Sequence, residues 1–223
     1  PQVTHVIMVL DASGSMGSIK NEAIELFNDQ VNTIKADPSD KTTVSFGTFG
    51  TESRPLIHYL AQPLETLEKL TAESYHPDGM TPLNDCLGKI CEDVEAMIDQ
   101  NEDFAVLVIV VSDGMENYSG RWQNGPNGDP NWRHYTDEYI KELVTRLEGT
   151  KRWTFTYLGA NQRPEDISAK YGVKFQNIAV FAANAEGTKV GSDMTSRGVK
   201  SYMLARKMGV TQSEAFYDQS EDE

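Results

Sequence analysis

Asp11, Ser13 and Ser15, in the run Asp11-Ala12-Ser13-Gly14-Ser15, place one carboxylate and two hydroxyls in a turn directly after the apolar stretch Val6 to Leu10. Oxygen donors alone suit a hard cation such as magnesium, which takes near-octahedral oxygen coordination and keeps several waters. Two further segments carry the same chemistry. Asp78-Gly79-Met80-Thr81-Pro82 runs into an amphipathic stretch and leaves the Thr81 hydroxyl beside a helix start. Ser112-Asp113-Gly114 follows Phe104 to Val111, the most apolar run of the chain, so a second buried strand ends in an aspartate. If those strands are neighbours, Asp11 and Asp113 emerge side by side and repel. A divalent cation removes the repulsion, and the neutral hydroxyls of Ser13, Ser15 and Thr81 complete its shell without adding negative charge. A position facing solvent is then open to water or to a carboxylate from outside.

The bland alternative is that Asp11 and Asp113 cap helix starts while the serines make local turn bonds. For Ser18 that reading is preferred. For the others, three separated segments, each beside the strand or helix it requires, favour a metal site. Asp-x-Ser-x-Ser after a first strand, a threonine before a middle helix and Ser-Asp-Gly after a later strand together resemble the von Willebrand factor type A domain and its metal-ion-dependent adhesion site. The resemblance spans nearly the whole chain. It implies that Asp11, Ser13, Ser15, Thr81 and Asp113 hold Mg2+, with Mn2+ or Ca2+ as substitutes, some directly and some through water. It also implies a protein partner offering an Asp or Glu carboxylate, recognition without chemistry on the partner, and hence no enzymatic activity.

The enzymatic alternative is a magnesium-dependent phosphoester hydrolase using the same residues. A strand ending in aspartate also opens phosphotransferases of the haloacid dehalogenase class, but these need a second carboxylate two residues on, where this chain has Ser13. There is no Gly-x-x-x-x-Gly-Lys-Ser/Thr loop and no Gly-x-Ser-x-Gly elbow.

The elements that must position these residues alternate between strand and helix, the pattern of a doubly wound α/β sheet. Strands are predicted at Thr4 to Leu10, Thr42 to Phe49, Arg54 to Leu60, Phe104 to Val111, Trp153 to Leu158 and Asn177 to Phe181. Helices are predicted at Met16 to Lys35, Pro82 to Asp99, Glu138 to Glu148 and Glu165 to Tyr171, with a brief one at Leu64 to Leu70. A last helix is predicted between Glu186 and Met208, its continuity in question because of Gly191 and Gly198. The expected fold is Rossmann-like: a six-stranded, mostly parallel sheet in the order 3-2-1-4-5-6 with helices on both faces. The short link between strands two and three makes strand three an antiparallel edge.

The stretch Met115 to Tyr135 is too rich in Gly, Pro and Asn for a helix or central strand and reads as a long loop leaving Asp113 over the metal face. Trp122 and Trp132 in it are candidate partner contacts. Their alternative is to pack their own loop down. Asn161, after strand five, is a third candidate. Asp129 and Glu116 read as solvated.

At 223 residues with a formal net charge of -14, the chain reads as one large domain that is not a general nucleic-acid binder, since it lacks the basic excess that phosphate contacts require. Residues 1–210 are expected to form the domain and 211–223 an acidic, disordered tail. No run approaches the length of a membrane span, and no signal segment opens the chain. Cys86 and Cys91, five residues apart on one helix, point about 140° apart and are not expected to pair. Reduced thiols fit a cytoplasmic protein.

Overall fold

The computed structural model describes residues 2–50, 55–121 and 133–217. The strands are β1 (Gln2–Asp11), β2 (Lys41–Phe49), β3 (Pro55–Pro63), β4 (Asp103–Ser112), β5 (Trp153–Ala160) and β6 (Ile178–Phe181). The helices are α1 (Lys20–Ala36), α2 (Leu83–Met97), α3 (Asp137–Gly149), α4 (Pro164–Tyr171) and α5 (Ala185–Lys207). The sheet order is β3-β2-β1-β4-β5-β6, with every neighbouring pair parallel except β2 and β3. The expected α/β architecture, strand order and antiparallel edge are therefore all present.

The apolar runs that announced β1 and β4 become strands buried on both faces. Val6, Met8 and Leu10 face α1 and α5, whereas Val3, Ile7 and Val9 face α2, α3 and α4. In α1, the spacing of Ala23, Phe27, Val31 and Ile34 gives one buried stripe. Helix starts follow local chemistry: Thr136 caps α3 by accepting from the Tyr139 N–H, and Asn184 caps α5 by accepting from the Gly187 N–H. Gly172, at φ 76°, closes α4 in the left-handed conformation.

Three elements depart from expectation. The turn after Asp11 is a 3-10 helix over Gly14–Ile19, so α1 begins only at Lys20. Residues Leu64 to Leu70 form a single 3-10 turn, Leu64–Thr66, because Leu64, Leu67 and Leu70 are each buried against the core and hold the segment extended. Helix α5 is unbroken across Gly191 and Gly198. A Cβ at Gly198 would lie 2.4 Å from the Phe216 ring, so this glycine admits an aromatic side chain against the helix rather than ending it.

Phe216 comes from the segment expected to be tail. Residues 211–217 instead cross the sheet bottom: Phe216 is fully buried, its N–H donates to Asn177 Oδ1 at 2.8 Å, and the Ser213 N–H donates to Thr154 Oγ1 at 2.9 Å. Among the described residues both cysteines are free and sealed from solvent, and no helix is long and apolar enough to cross a membrane.

Candidate metal centre

Leu10 pairs with Val111 across β1 and β4, so Asp11 and Asp113 leave adjacent strands at the carboxyl end of the sheet. There the chain diverges to opposite faces, which in this architecture opens a crevice for ligands. Asp11 is fully buried. Its Oδ1 accepts from the Ser13 N–H at 2.7 Å, and its Oδ2 accepts from Ser112 Oγ at 2.5 Å. The Ser13 and Ser15 hydroxyls lie 3.1 Å apart, and Ser15 Oγ donates to Asp113 Oδ1 at 2.7 Å. Ser13 is buried, Asp113 half-buried and Ser15 exposed, so the oxygens step from the interior to the surface.

Thr81 is buried, and its Oγ1 lies 3.6 Å from where a Cβ on Gly114 would sit, which sets the second loop beside the third. The loops are tied to one another through their backbones. Asp78 N–H donates to Ala12 O at 2.8 Å, Gly14 N–H to Gly79 O at 3.0 Å and Asn117 N–H to Thr81 O at 3.1 Å. The Thr81 N–H donates to Asn117 Oδ1 at 3.0 Å, and the Tyr75 hydroxyl donates to Asp11 O. Gly50, at φ 133°, is needed here: a Cβ would meet the Ala12 carbonyl at 2.3 Å.

Burial pushes the Asp11 carboxyl up to about 6; the bonds from Ser112 and Ser13 pull it back, and the charge of Asp113 adds a smaller push. Asp113 is also raised, chiefly by burial. Strand adjacency alone points to repulsion between the two carboxylates as the reason to want a cation. In the folded protein, desolvation of Asp11 is the larger cause and repulsion the smaller.

These residues fit a hard divalent ion. The donors are all oxygens; the Ser13, Ser15 and Asp113 oxygens follow one another within hydrogen-bond distance, Thr81 stands in the loop beside Gly114, and the inner carboxylate lies in a dry position that disfavours its ionised form. Among the described residues no group of three or more His, Cys, Asp or Glu side chains could hold an ion unaided, so the hydroxyls have to take part. Asp11 and Asp113 would supply the charge; Ser13, Ser15 and Thr81 would supply neutral ligands.

Ser18 donates to Ser15 O at 3.1 Å, the local turn bond expected of it. Asn161 lies at the end of β5 with φ 53°, and its Oδ1 accepts from the Ala183 N–H at 3.5 Å, which turns it toward the β6 side. Its neighbour Gln162 is the residue that reaches the centre, Nε2 donating to Ser112 O at 3.1 Å. Trp122, Trp132 and Asp129 fall outside the described residues.

Glu116 is not a solvated acid. Its carboxylate accepts from the N–H groups of Asn84, Tyr118 and Ser119 at 2.7, 2.7 and 2.6 Å, and from Ser119 Oγ at 2.8 Å. Buried Asp85 takes the Tyr135 N–H at 2.9 Å and the Gly120 N–H at 3.1 Å, and lies 3.2 Å from His134 Nδ1. The two acids pin both described ends of the long loop to the start of α2. Sequence reasoning missed Ser112, Gln162 and Asp85. Only Ser112 had a local signal, its position next to Asp113.

No family model matches the chain, and no curated protein matches it. Solved structures do. Proximal thread matrix protein 1 from the mussel byssus is 17% identical, with 90% of this chain and 46% of that one covered and a TM-score of 0.59. A second structure of it, with a zinc-occupied MIDAS motif, gives 16% identity over 90% of this chain and 46% of that one, at a TM-score of 0.57. The vWF domain of the type V pili tip protein Mfa5 from Porphyromonas gingivalis is 12% identical over 95% of this chain and 97% of that one, at 0.58. Manganese-loaded TRAP protein of Plasmodium vivax is 13% identical over 84% and 71%, at 0.54. The chain spans about half the length of the byssus protein. It has the von Willebrand factor type A fold.

Proposed function

We propose that this domain is a divalent-cation-dependent protein-binding module that presents magnesium to an acidic side chain of a protein partner. The observation that carries the reading is the row of oxygens from Asp11 through Ser13 and Ser15 to Asp113, buried at one end and open at the other. A cation held there by two carboxylates and neutral hydroxyls keeps capacity for one more anionic ligand, and the solvent side is where it can arrive. Structural neighbours with zinc or manganese lend weight to metal binding; magnesium is the choice for an all-oxygen donor set.

In this reading the chain's own residues do three things. Ser112 and the Ser13 N–H hold the Asp11 carboxylate in one orientation before metal arrives. The interlocked loops hold buried Thr81 and exposed Ser15 in place, so few groups need ordering on binding. Partner recognition requires no bond to be made or broken, and no general base is assigned.

The test is thermal unfolding of the wild type and of Asp11→Ala across a magnesium titration begun in chelator. A ligand that binds only the folded state adds about 2.7 kcal/mol at 100 times its dissociation constant. A saturable rise in the wild type, absent from the variant, is expected. Magnesium-dependent hydrolysis of p-nitrophenyl phosphate that disappears in Asp11→Ala would replace this reading with the hydrolase one.

A further inference from the structure

Ser112 donates to the inner carboxylate, so the groups around Ser112 bear on the metal centre as well. On β5, Tyr157 stands opposite Val110 of β4, and Gly159 stands opposite Ser112. Side chains two apart on a strand share a face, so Tyr157 and Ser112 lie on the same side of the sheet, with Gly159 beside both and offering no side chain. The tyrosine leans into that space. Its Cε1 is 3.4 Å from where a Cβ on Gly159 would sit, and so is the Cβ of Gln162, whose Nε2 donates to Ser112 O at 3.1 Å. Tyr157 is fully buried, its ring stacked on that of Tyr171 with centroids 5.7 Å apart. Its hydroxyl makes no hydrogen bond of ordinary geometry among the described residues, and a hydroxyl sealed in that way is costly unless it serves a neighbour. Burial pushes the Tyr157 hydroxyl up; Ser112 and Gln162 are the side chains that pull it back by hydrogen bonding.

We infer that Tyr157 is a positioning residue for the metal centre, its hydroxyl donating to the free lone pair of Ser112 Oγ and so committing the serine proton to Asp11. This rests on the cation-binding reading above and adds a residue that acts on the ion only through Ser112. The donor count allows it. A serine hydroxyl has one proton and accepts two hydrogen bonds; the Gly114 N–H takes one acceptor position at 3.2 Å, which leaves one for Tyr157. The single proton has two claimants, Asp11 Oδ2 at 2.5 Å and Gly114 O at 2.8 Å. A donor at the free lone pair polarises the serine O–H and strengthens the bond it makes. The carboxylate gains more from this than the neutral carbonyl does, because bonds to a charged acceptor are the stronger ones. Tyr157 thus tips the proton of Ser112 toward Asp11 and holds the carboxylate in the orientation that meets a cation.

The experiment is a double-mutant cycle read as magnesium affinity by calorimetry at pH 7, with thermal unfolding in chelator beside it. Tyr157→Phe keeps the ring and its stacking on Tyr171 and deletes the hydroxyl. It should melt no lower than the wild type in chelator and bind magnesium about threefold more weakly, the lower end of what one hydrogen bond contributes. In a Ser112→Ala background, itself about fivefold weaker than the wild type, the same substitution should change nothing, whereas independent effects would multiply to about fifteenfold. Tyr171→Phe removes the other hydroxyl of the stacked pair, also buried and also without an ordinary hydrogen bond among the described residues, and should bind magnesium as the wild type does. Unchanged affinity in Tyr157→Phe, losses that multiply in the double variant, or an equal loss in Tyr171→Phe overturns the role of Tyr157 and leaves the cation-binding reading standing. A wild type that binds no magnesium overturns both.

Discussion

Asp11 and Asp85 are both sealed from solvent at the same end of the molecule, yet they are surrounded differently. Asp85 faces two backbone N–H groups and a histidine nitrogen, all from the loop it holds. Asp11 takes one backbone N–H and the hydroxyls of Ser112 and Ser13, its carboxyl is still pushed up to about 6 by burial, and its partners Ser13 and Ser112 stand next to further oxygens. Burial alone therefore does not mark a ligand. A carboxylate tied by backbone donors of the loop it holds is a fastener, whereas one raised by burial and set among hydroxyls suits a cation.

That contrast can be broken most sharply by removing each acid. Asp85→Ala strands the Tyr135 and Gly120 N–H groups and is expected to lower stability by about 3 kcal/mol in chemical denaturation, while the folded protein still responds to magnesium. Asp11→Asn keeps an acceptor for Ser13 and removes a charge that burial disfavours. In chelator at pH 8 it should be at least as stable as the wild type, and it should lose the magnesium-induced rise of about 2.7 kcal/mol. An Asp11→Asn protein as damaged as Asp85→Ala would erase the distinction.

The pH response sharpens it. Because the folded-state value of Asp11 lies above the value of an unfolded aspartate, the folded protein binds the extra proton between about pH 4 and pH 6. The apo protein should lose up to about 3 kcal/mol as pH rises through that window. Magnesium requires the ionised form, so its affinity should fall about tenfold per pH unit below 6, read by calorimetry. An affinity flat between pH 5 and pH 7 would remove Asp11 from the ligand set.

The smallest effect separates a supporting hydroxyl from the candidate ligands. Ser112→Ala deletes the donor to Asp11 Oδ2 and should weaken magnesium binding about fivefold at pH 7, the worth of one hydrogen bond of about 1 kcal/mol. Ser112→Thr, which keeps the hydroxyl, should restore it.

The strands, the sheet order and the five oxygen-bearing residues of the candidate centre were legible in the chain because each rests on a local pattern. Continuous apolar runs make strands buried on both faces, and the chemistry of Asp-x-Ser-x-Ser lies within five residues. Gly191 and Gly198 misled, because helix propensity is local while the room that Phe216 requires is not. Glu116 misled for the same reason: three of its four donors belong to its own turn, but the Asn84 N–H lies 32 residues away.

By itself the sequence determined which residues could bind a cation and which end of the sheet they leave from, since residue type and hydrophobic period are carried along the chain. Only the tertiary structure decided how those residues are held. Ser112 reaches Asp11 across 101 residues, Gln162 reaches Ser112 across 50, and Asp85 joins two ends of a loop 35 and 50 residues downstream. Such contacts depend on strand adjacency and on where a helix starts relative to a sheet. The desolvation that sets the acidity of Asp11 likewise arises only once β1 and β4 are packed between their two layers of helices.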